Sequence, residues 1–142
     1  DNFNVIALYE EAAKLGDHGA IFELGAHYLV GYLVDKDIEK AANFFKQASQ
    51  KPDNYGSFAI GLCYLNGVGV PKDTSKGFEI IKKVAEGGYF DGYYQLGLCY
   101  RDGIGTNKDT DEALIWLTKG ANSDHEGSRI ALQALENELR KK

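Results

Sequence analysis

Ile60 to Val70 read IGLCYLNGVGV, and two relatives of this stretch flank it at one fixed distance. Leu24-Gly25 with Tyr28 precedes it and Leu96-Gly97 with Tyr100 follows, so Gly25, Gly61 and Gly97 stand 36 residues apart. A period of that length is the signature of one supersecondary unit stacked on copies of itself. Working outward from the glycines, the unit reads as a helical hairpin. Ala20 to Leu29 pairs with Ile38 to Ser49, Ser57 to Leu65 with Thr74 to Ala85, and Tyr93 to Tyr100 with Asp111 to Ala121. Ahead of these, Phe3 to Leu15 places Val5, Leu8, Tyr9, Ala12 and Ala13 on one inward stripe ended by Gly16, as an amphipathic helix does. Behind them, Gly127 to Leu139 begins a further unit but carries Gln133 and Glu136 in the Gly and Tyr positions, which marks a capping helix. The expected organisation is one array over residues 1–142: the second helix of a preceding repeat at 1–16, repeats at 18–50, 54–87 and 90–123, and a terminal capping helix at 126–142. Lys51 to Asn54 is read as a break between the first two hairpins.

On a wheel of about 100° per residue with Leu24 at zero, Ala20, Ile21 and Tyr28 fall within about 60° and make one buried face. Gly25 lies at its edge, where a missing side chain lets the neighbouring helix approach. Its recurrence implies a packing gain larger than the ~1 kcal/mol that Gly costs a helix against Ala. The loops Gly67-Val68-Gly69-Val70 and Gly103-Ile104-Gly105-Thr106 supply left-handed residues beyond the helix ends. Val70 or Ile104 is expected to tuck under the hairpin, and Asp37, Asp73 and Asp109 stand where the second helices need N-caps.

The net charge of −5, with Lys and Arg scattered along the chain, offers no field for nucleic acid and favours a basic or neutral partner. No apolar run approaches the ~20 residues that span a bilayer, and the first residues carry no signal-peptide pattern. Beginning at Asp1 in mid-repeat, the chain reads as a monomeric piece of a longer array.

No catalytic, metal or cofactor set emerges. The Gly-x-Gly loops join two helices and lack the Lys-Ser/Thr pair of a phosphate loop. His27, Cys63 and Cys99 share one repeat position, and equivalent points on packed helices lie ~8–10 Å apart, whereas zinc holds its donors at ~2.0–2.3 Å. The same spacing keeps the two cysteines beyond the ~7 Å Cα limit of a disulfide, and free thiols lean towards a reducing compartment. His18 and His125 lie near helix starts, where an exposed polar residue is the default. Glu10-Glu11 and Asp111-Glu112 occupy helix positions that solvation or the helix dipole explains.

The recurring pattern, Ala/Gly-x-Phe/Tyr-x-Leu/Ile-Gly-x-x-Tyr-x-x-Gly-x-Gly-Val-x-x-Asp-x-x-Lys-Ala/Gly, resembles the Sel1-like repeat, a relative of the tetratricopeptide repeat. Departures are local: Leu33 replaces the second loop glycine of the first hairpin, Glu112 replaces the Lys of the third, and Lys51 to Asn54 is polar where Ala-Glu-x-Gly is usual. The resemblance implies an all-α, right-handed α/α superhelix, a solenoid of 36-residue hairpins, acting as a non-catalytic adaptor for other proteins. One Cys per repeat separates the chain from the branch that staples each hairpin. The absence of Ser-x-x-Lys at every serine counts against the penicillin-binding activity attributed to some relatives.

In tetratricopeptide-like stacks the first helix of each hairpin lines the concave side. Phe22, Ala26 and Leu29 fall at about 160°, 200° and 140° on the wheel, away from the core face. With Phe58, Leu62, Leu65, Tyr94, Leu98 and Arg101 they are expected to floor a groove edged by Val30, Asn66 and Asp102. Packing between hairpins is an equally good account of the aromatics at 22, 58 and 94. The partner expected is another protein or a peptide segment. The alternative is an inhibitory, immunity-type or spacer module acting through its convex or terminal face.

Overall fold

The computed structural model of the chain describes residues 2–50 and 54–142. Among them are eight α-helices and no strand: α1 (Asn2–Lys14), α2 (His18–Val30), α3 (Ile38–Ala48), α4 (Asn54–Asn66), α5 (Thr74–Glu86), α6 (Phe90–Asp102), α7 (Thr110–Asn122) and α8 (Glu126–Arg140). They fall into two compact units, Asp1–Asp73 and Thr74–Lys142. The expected break at Lys51 to Asp53 lies outside the described residues, while Asn54 already belongs to α4.

In the first unit each helix packs on the next, and α2 also touches α4. Asp17 starts α2 by accepting from the Ala20 N–H at 3.0 Å, and Asp37 starts α3 by accepting from the Lys40 N–H at 3.0 Å. The facing stripes are Ala20, Ile21, Leu24 and Gly25 on α2 and Ala41, Ala42, Phe45 and Ala48 on α3, all buried. Gly25 is what permits this closeness: a Cβ there would stand 2.6 Å from Phe45 Cε1 and 3.2 Å from the Ala41 carbonyl oxygen. Leu8, expected inward, is 66% exposed. It stands 36 residues before Phe44, whose ring stacks on Tyr28 of its own hairpin at 5.7 Å, and α1 has no such first helix beside it among the described residues.

In the second unit α5 to α8 also pack in order, with α6 touching α8. Ala113, Leu117, Ala131 and Leu135 form a buried cluster, with Tyr94, Leu98, Tyr100, Leu114 and Leu132 packed against it. Gly97 repeats the role of Gly25, its absent Cβ leaving room for Leu117 Cδ2, which would lie 2.7 Å away. Gly120 does the same for Ser128, whose Cβ would lie 2.6 Å away.

The repetition extends to single bonds. The Asp37, Asp73 and Asp109 N–H groups donate to the Tyr28, Tyr64 and Tyr100 carbonyls at 2.9, 2.9 and 2.8 Å. Three loops of one length are thus closed in one way. At the second loop glycine the copies diverge. Gly69 and Gly105 hold φ of 72° in contact with the Ile38 and Thr74 carbonyls, where no side chain would fit. Leu33 occupies the matching place in the first loop at φ 68° with its side chain 37% exposed, a conformation that costs an L-residue about 1–2 kcal/mol.

Beside the exposed Ile130, the outward side of α8 carries polar residues bonded to one another. Gln133 Nε2 donates to Asn137 Oδ1 at 3.2 Å, Arg140 Nη1 donates to the same oxygen at 3.1 Å, and Arg129 pairs with Glu126.

Candidate protein-binding surfaces

The first unit presents the expected residues on α2 and α4. Phe22, Ala26 and Leu29 are half-buried, and Val30 is 68% exposed. The Phe22 ring lies 5.6 Å from Phe45 and 5.8 Å from Tyr55, so it fills the space where α2, α3 and the start of α4 meet. On α4, Phe58 and Leu62 are half-buried, but Leu65 is only 8% exposed and offers a ligand almost nothing. Asn66 is exposed, its Nδ2 donating to the Leu62 carbonyl at 3.0 Å and so closing the helix end. Of the residues expected in the groove of this unit, the apolar ones that stay accessible are therefore Ala26, Leu29 and Val30, with Leu62.

In the second unit α6 carries Tyr94, Leu98, Arg101 and Asp102. Tyr94 tilts over the His125 ring at 5.2 Å, and both Tyr94 and Leu98 pack against the cluster shared by α7 and α8. These two residues hold α8 as much as they face outward. Arg101 and Asp102 form a two-pronged pair, Nε donating to Oδ1 at 2.9 Å and Nη2 to Oδ2 at 2.8 Å. That bond holds the Asp102 carboxyl below the usual range, and it also raises Arg101. The pair borders an open pocket of about 180 Å³ whose floor is the C-terminal half of α8.

One polar network had no counterpart in the sequence reading. His125 and His18 are half-buried rather than exposed. His18 Nδ1 lies 3.2 Å from the Ala48 carbonyl. His125 caps α8: its Nδ1 accepts from the Ser128 N–H at 3.1 Å, and its Nε2 meets Asp91 Oδ1 at 3.0 Å. Because a backbone N–H can only donate, Nδ1 is the unprotonated nitrogen and Nε2–H donates to the carboxylate. The Ser128 Oγ lies 3.1 Å from the same Nδ1, so serine, histidine and aspartate form a chain in the order of a hydrolase. Its chemistry is nevertheless structural. Ser128 is 0% exposed and wedged against Gly120, with no space for a carbonyl to reach it. The signal was legible as a His three residues before Ser at a helix start, but His is seldom an N-cap.

His27 is wedged between Tyr9 at 5.7 Å and Tyr32 at 5.5 Å, with Nδ1 2.9 Å from the Tyr32 carbonyl. Cys63 and Cys99 are buried free thiols. Burial pushes both up, Cys99 to about 11 with help from the Asp102 charge. Among the described residues no group of His, Cys, Asp and Glu is placed to hold a metal ion, and no helix is long and apolar enough to cross a membrane.

Eight helices in hairpins joined by identical loop bonds define the class of the described residues as an all-α helical repeat protein. The Sel1 repeat matches at residues 6–17, 18–53, 55–89 and 91–125, and the chain belongs to the Sel1 repeat family. Solved structures agree. A protective antigen of uropathogenic Escherichia coli strains, displaying an SLR fold, is 28% identical with a TM-score of 0.84 over 87% of this chain. A Sel1 repeat protein from Oxalobacter formigenes is 25% identical with a TM-score of 0.81 over 89%. The chain spans 26% and 52% of those two proteins. Helicobacter pylori cysteine rich protein B shares the fold at 22% identity, TM-score 0.69, over 93% of this chain and 95% of its own. Comparison with curated protein sequences finds no match. Sel1 repeats commonly mediate protein–protein interaction, and proteins built from them are generally non-catalytic scaffolds.

Proposed function

We propose that the chain is a protein-binding adaptor that takes a partner segment on the face that α2 and α4, the first helices of its first two hairpins, present in the first unit. The observation that carries this reading is the residue set on α2 and α4. Ala26, Leu29 and Leu62 are half-buried and Val30 is 68% exposed, and this apolar set is not absorbed into the core stripe of either helix. A partner that covers such a set gains about 25 cal/mol per Å² of apolar surface removed from water. Asn66 serves as an edge residue of this face, and Arg101 and Asp102 hold the matching repeat positions on α6 of the second unit, where they orient rather than drive.

The test is capture of the natural partner from cell extract by variants at these positions. Val30→Glu and Leu62→Glu are expected to lose the partner with helical content unchanged, because a carboxylate must be desolvated against an apolar ligand without a partner charge. Ile115→Glu and Ile130→Glu, at positions 50% and 61% exposed on α7 and α8, are expected to retain it. The reverse result would move binding to the outer or terminal faces and favour an inhibitory or spacer module.

A further inference from the structure

Tyr28 and Tyr100 hold one repeat position on α2 and α6, two periods apart, and close their loops through the same backbone bond. What stands over the two rings differs. Lys40 of α3 places its Nζ 4.5 Å from the centre of the Tyr28 ring, and Phe44 stacks on that ring at 5.7 Å. In α7 the positions of Lys40 and Phe44 are held by Glu112 and Trp116. The Trp116 Nε1–H donates to Glu112 Oε2 at 3.2 Å, which fixes the carboxylate instead of leaving it to swing. The ammonium of Lys119 sits 4.6 Å over the Trp116 ring and so is engaged there.

The change of sign is not confined to one residue. Burial and the carboxylates of Glu112, Asp109, Glu86 and Glu79 push the Tyr100 hydroxyl up. Those carboxylates come from α5, from the cap of α7 and from α7 itself, all within the second unit. Among the described residues no lysine, arginine or histidine is paired with any of the four, although Lys82 and Lys83 lie between Glu79 and Glu86 on α5. Glu79, Glu86 and Asp109 are exposed, while Tyr100 and Glu112 are half-buried. Phe78 of α5 meets the Tyr100 ring edge to face at 5.4 Å and holds it in place.

We propose that Tyr100 and Glu112, with the carboxylates of Glu79, Glu86 and Asp109 around them, form a site for a lysine side chain of a partner protein, whose ammonium stands to Tyr100 as Lys40 stands to Tyr28. An ammonium within about 6 Å of a tyrosine ring is attracted by its face, and here it also gains fixed negative charge. Lysine suits the site better than arginine. Carboxylates on separate elements do not make the single planar fork that a guanidinium reads, whereas an ammonium is a compact charge with three donors. A basic anchor of this kind complements a chain of net charge −5. The site makes no use of α2 or α4 and is independent of the adaptor face.

Three probes test this: an acetylated Gly-Lys-Gly amide, the same peptide acetylated at the lysine Nε, and an acetylated Gly-Arg-Gly amide. Each is titrated into the whole chain while the ring resonances of Tyr100 and Tyr28 and the Trp116 indole N–H are followed. The lysine peptide is expected to shift Tyr100 saturably and to leave Tyr28, which already carries Lys40, unmoved. Acetylation of the ammonium should weaken binding by about tenfold or more, and the arginine peptide should bind less tightly than the lysine one. Glu112→Lys, which puts there the residue of the first hairpin, is expected to stay folded and to lose the peptide. Glu112→Gln, which can still accept from the indole, should weaken it severalfold. Equal shifts at Tyr28 and Tyr100 would reduce the effect to general attraction by an acidic surface and overturn the proposal. So would an acetylated lysine or an arginine peptide that binds as tightly as free lysine, or unchanged binding by Glu112→Lys. Should Glu112→Lys lose helical content, Glu112→Gln decides alone, and unchanged binding by it overturns the site.

Discussion

His125 Nε2 stands 3.0 Å from Asp91 Oδ1, and through that pair the first turn of α8 is tied to the first turn of α6. The same imidazole caps α8 through Nδ1. His125→Ala therefore removes a cap and a tie together and is expected to destabilise by about 1–2 kcal/mol. In a urea-denaturation cycle with Asp91→Ala, the coupling between the two should be about 0.2–1 kcal/mol, because the carboxylate is partly exposed. An unchanged midpoint for His125→Ala would sink this account.

Gly97→Ala places a Cβ 2.7 Å from Cδ2 of Leu117, which is 0% exposed and has nowhere to move. Overpacking of about 1–3 kcal/mol outweighs the ~1 kcal/mol gained in helix propensity. The melting temperature of the variant should fall, and that of Gly25→Ala should fall with it, since Phe45 is 3% exposed and just as confined. A rise in either would show that the helices have room to separate.

Leu33→Gly is expected to leave stability unchanged or to raise it by up to about 1.6 kcal/mol. Relief of a left-handed leucine gives about 1–2 kcal/mol, and the extra freedom of glycine in the unfolded chain takes back about 0.4–1 kcal/mol. Thermal melting decides. A clear loss would mean that the half-open side chain of Leu33 makes contacts worth more than the strain.

Burial raises the Cys99 thiol to about 11 and raises Cys63 as well. A group whose folded pKa is raised above its unfolded value holds its stabilisation below the unfolded pKa and loses it as pH climbs towards the folded one. Stability should accordingly decline between about pH 9 and pH 11, by on the order of 2–3 kcal/mol from Cys99. Cys99→Ala flattens that decline in denaturation curves measured across the range. Alkylation without reductant should be slow in the native protein and complete at both cysteines in denaturant.

The repeat was legible because it is written in residues that have no substitute: Gly25 and Gly97 are contacts, and Asp37 and Asp109 are caps. A wheel anchored on Leu24 found the buried faces for the same reason. It served less well on the opposite face, since a half-buried leucine facing a groove and one supporting the next helix have the same angle. Leu98 proved to pack on the α7–α8 cluster and Leu65 proved to be buried. The His125–Asp91 tie joins residues 34 positions apart, a relation that neither periodicity nor local motif encodes. The pocket was invisible for a related reason: its floor and mouth come from three helices, and no one of them is unusual in composition.

The first helices α2 and α6 have glycine where their own partner helices approach, whereas α8 has Gln133, bonded along its surface to Asn137. A second helix arriving there would have to bury an amide and break a ladder that already satisfies itself. Any helix that packs on this side of α8 has therefore to supply polar partners of its own, where the helices facing Gly25 and Gly97 supply only a close apolar ridge.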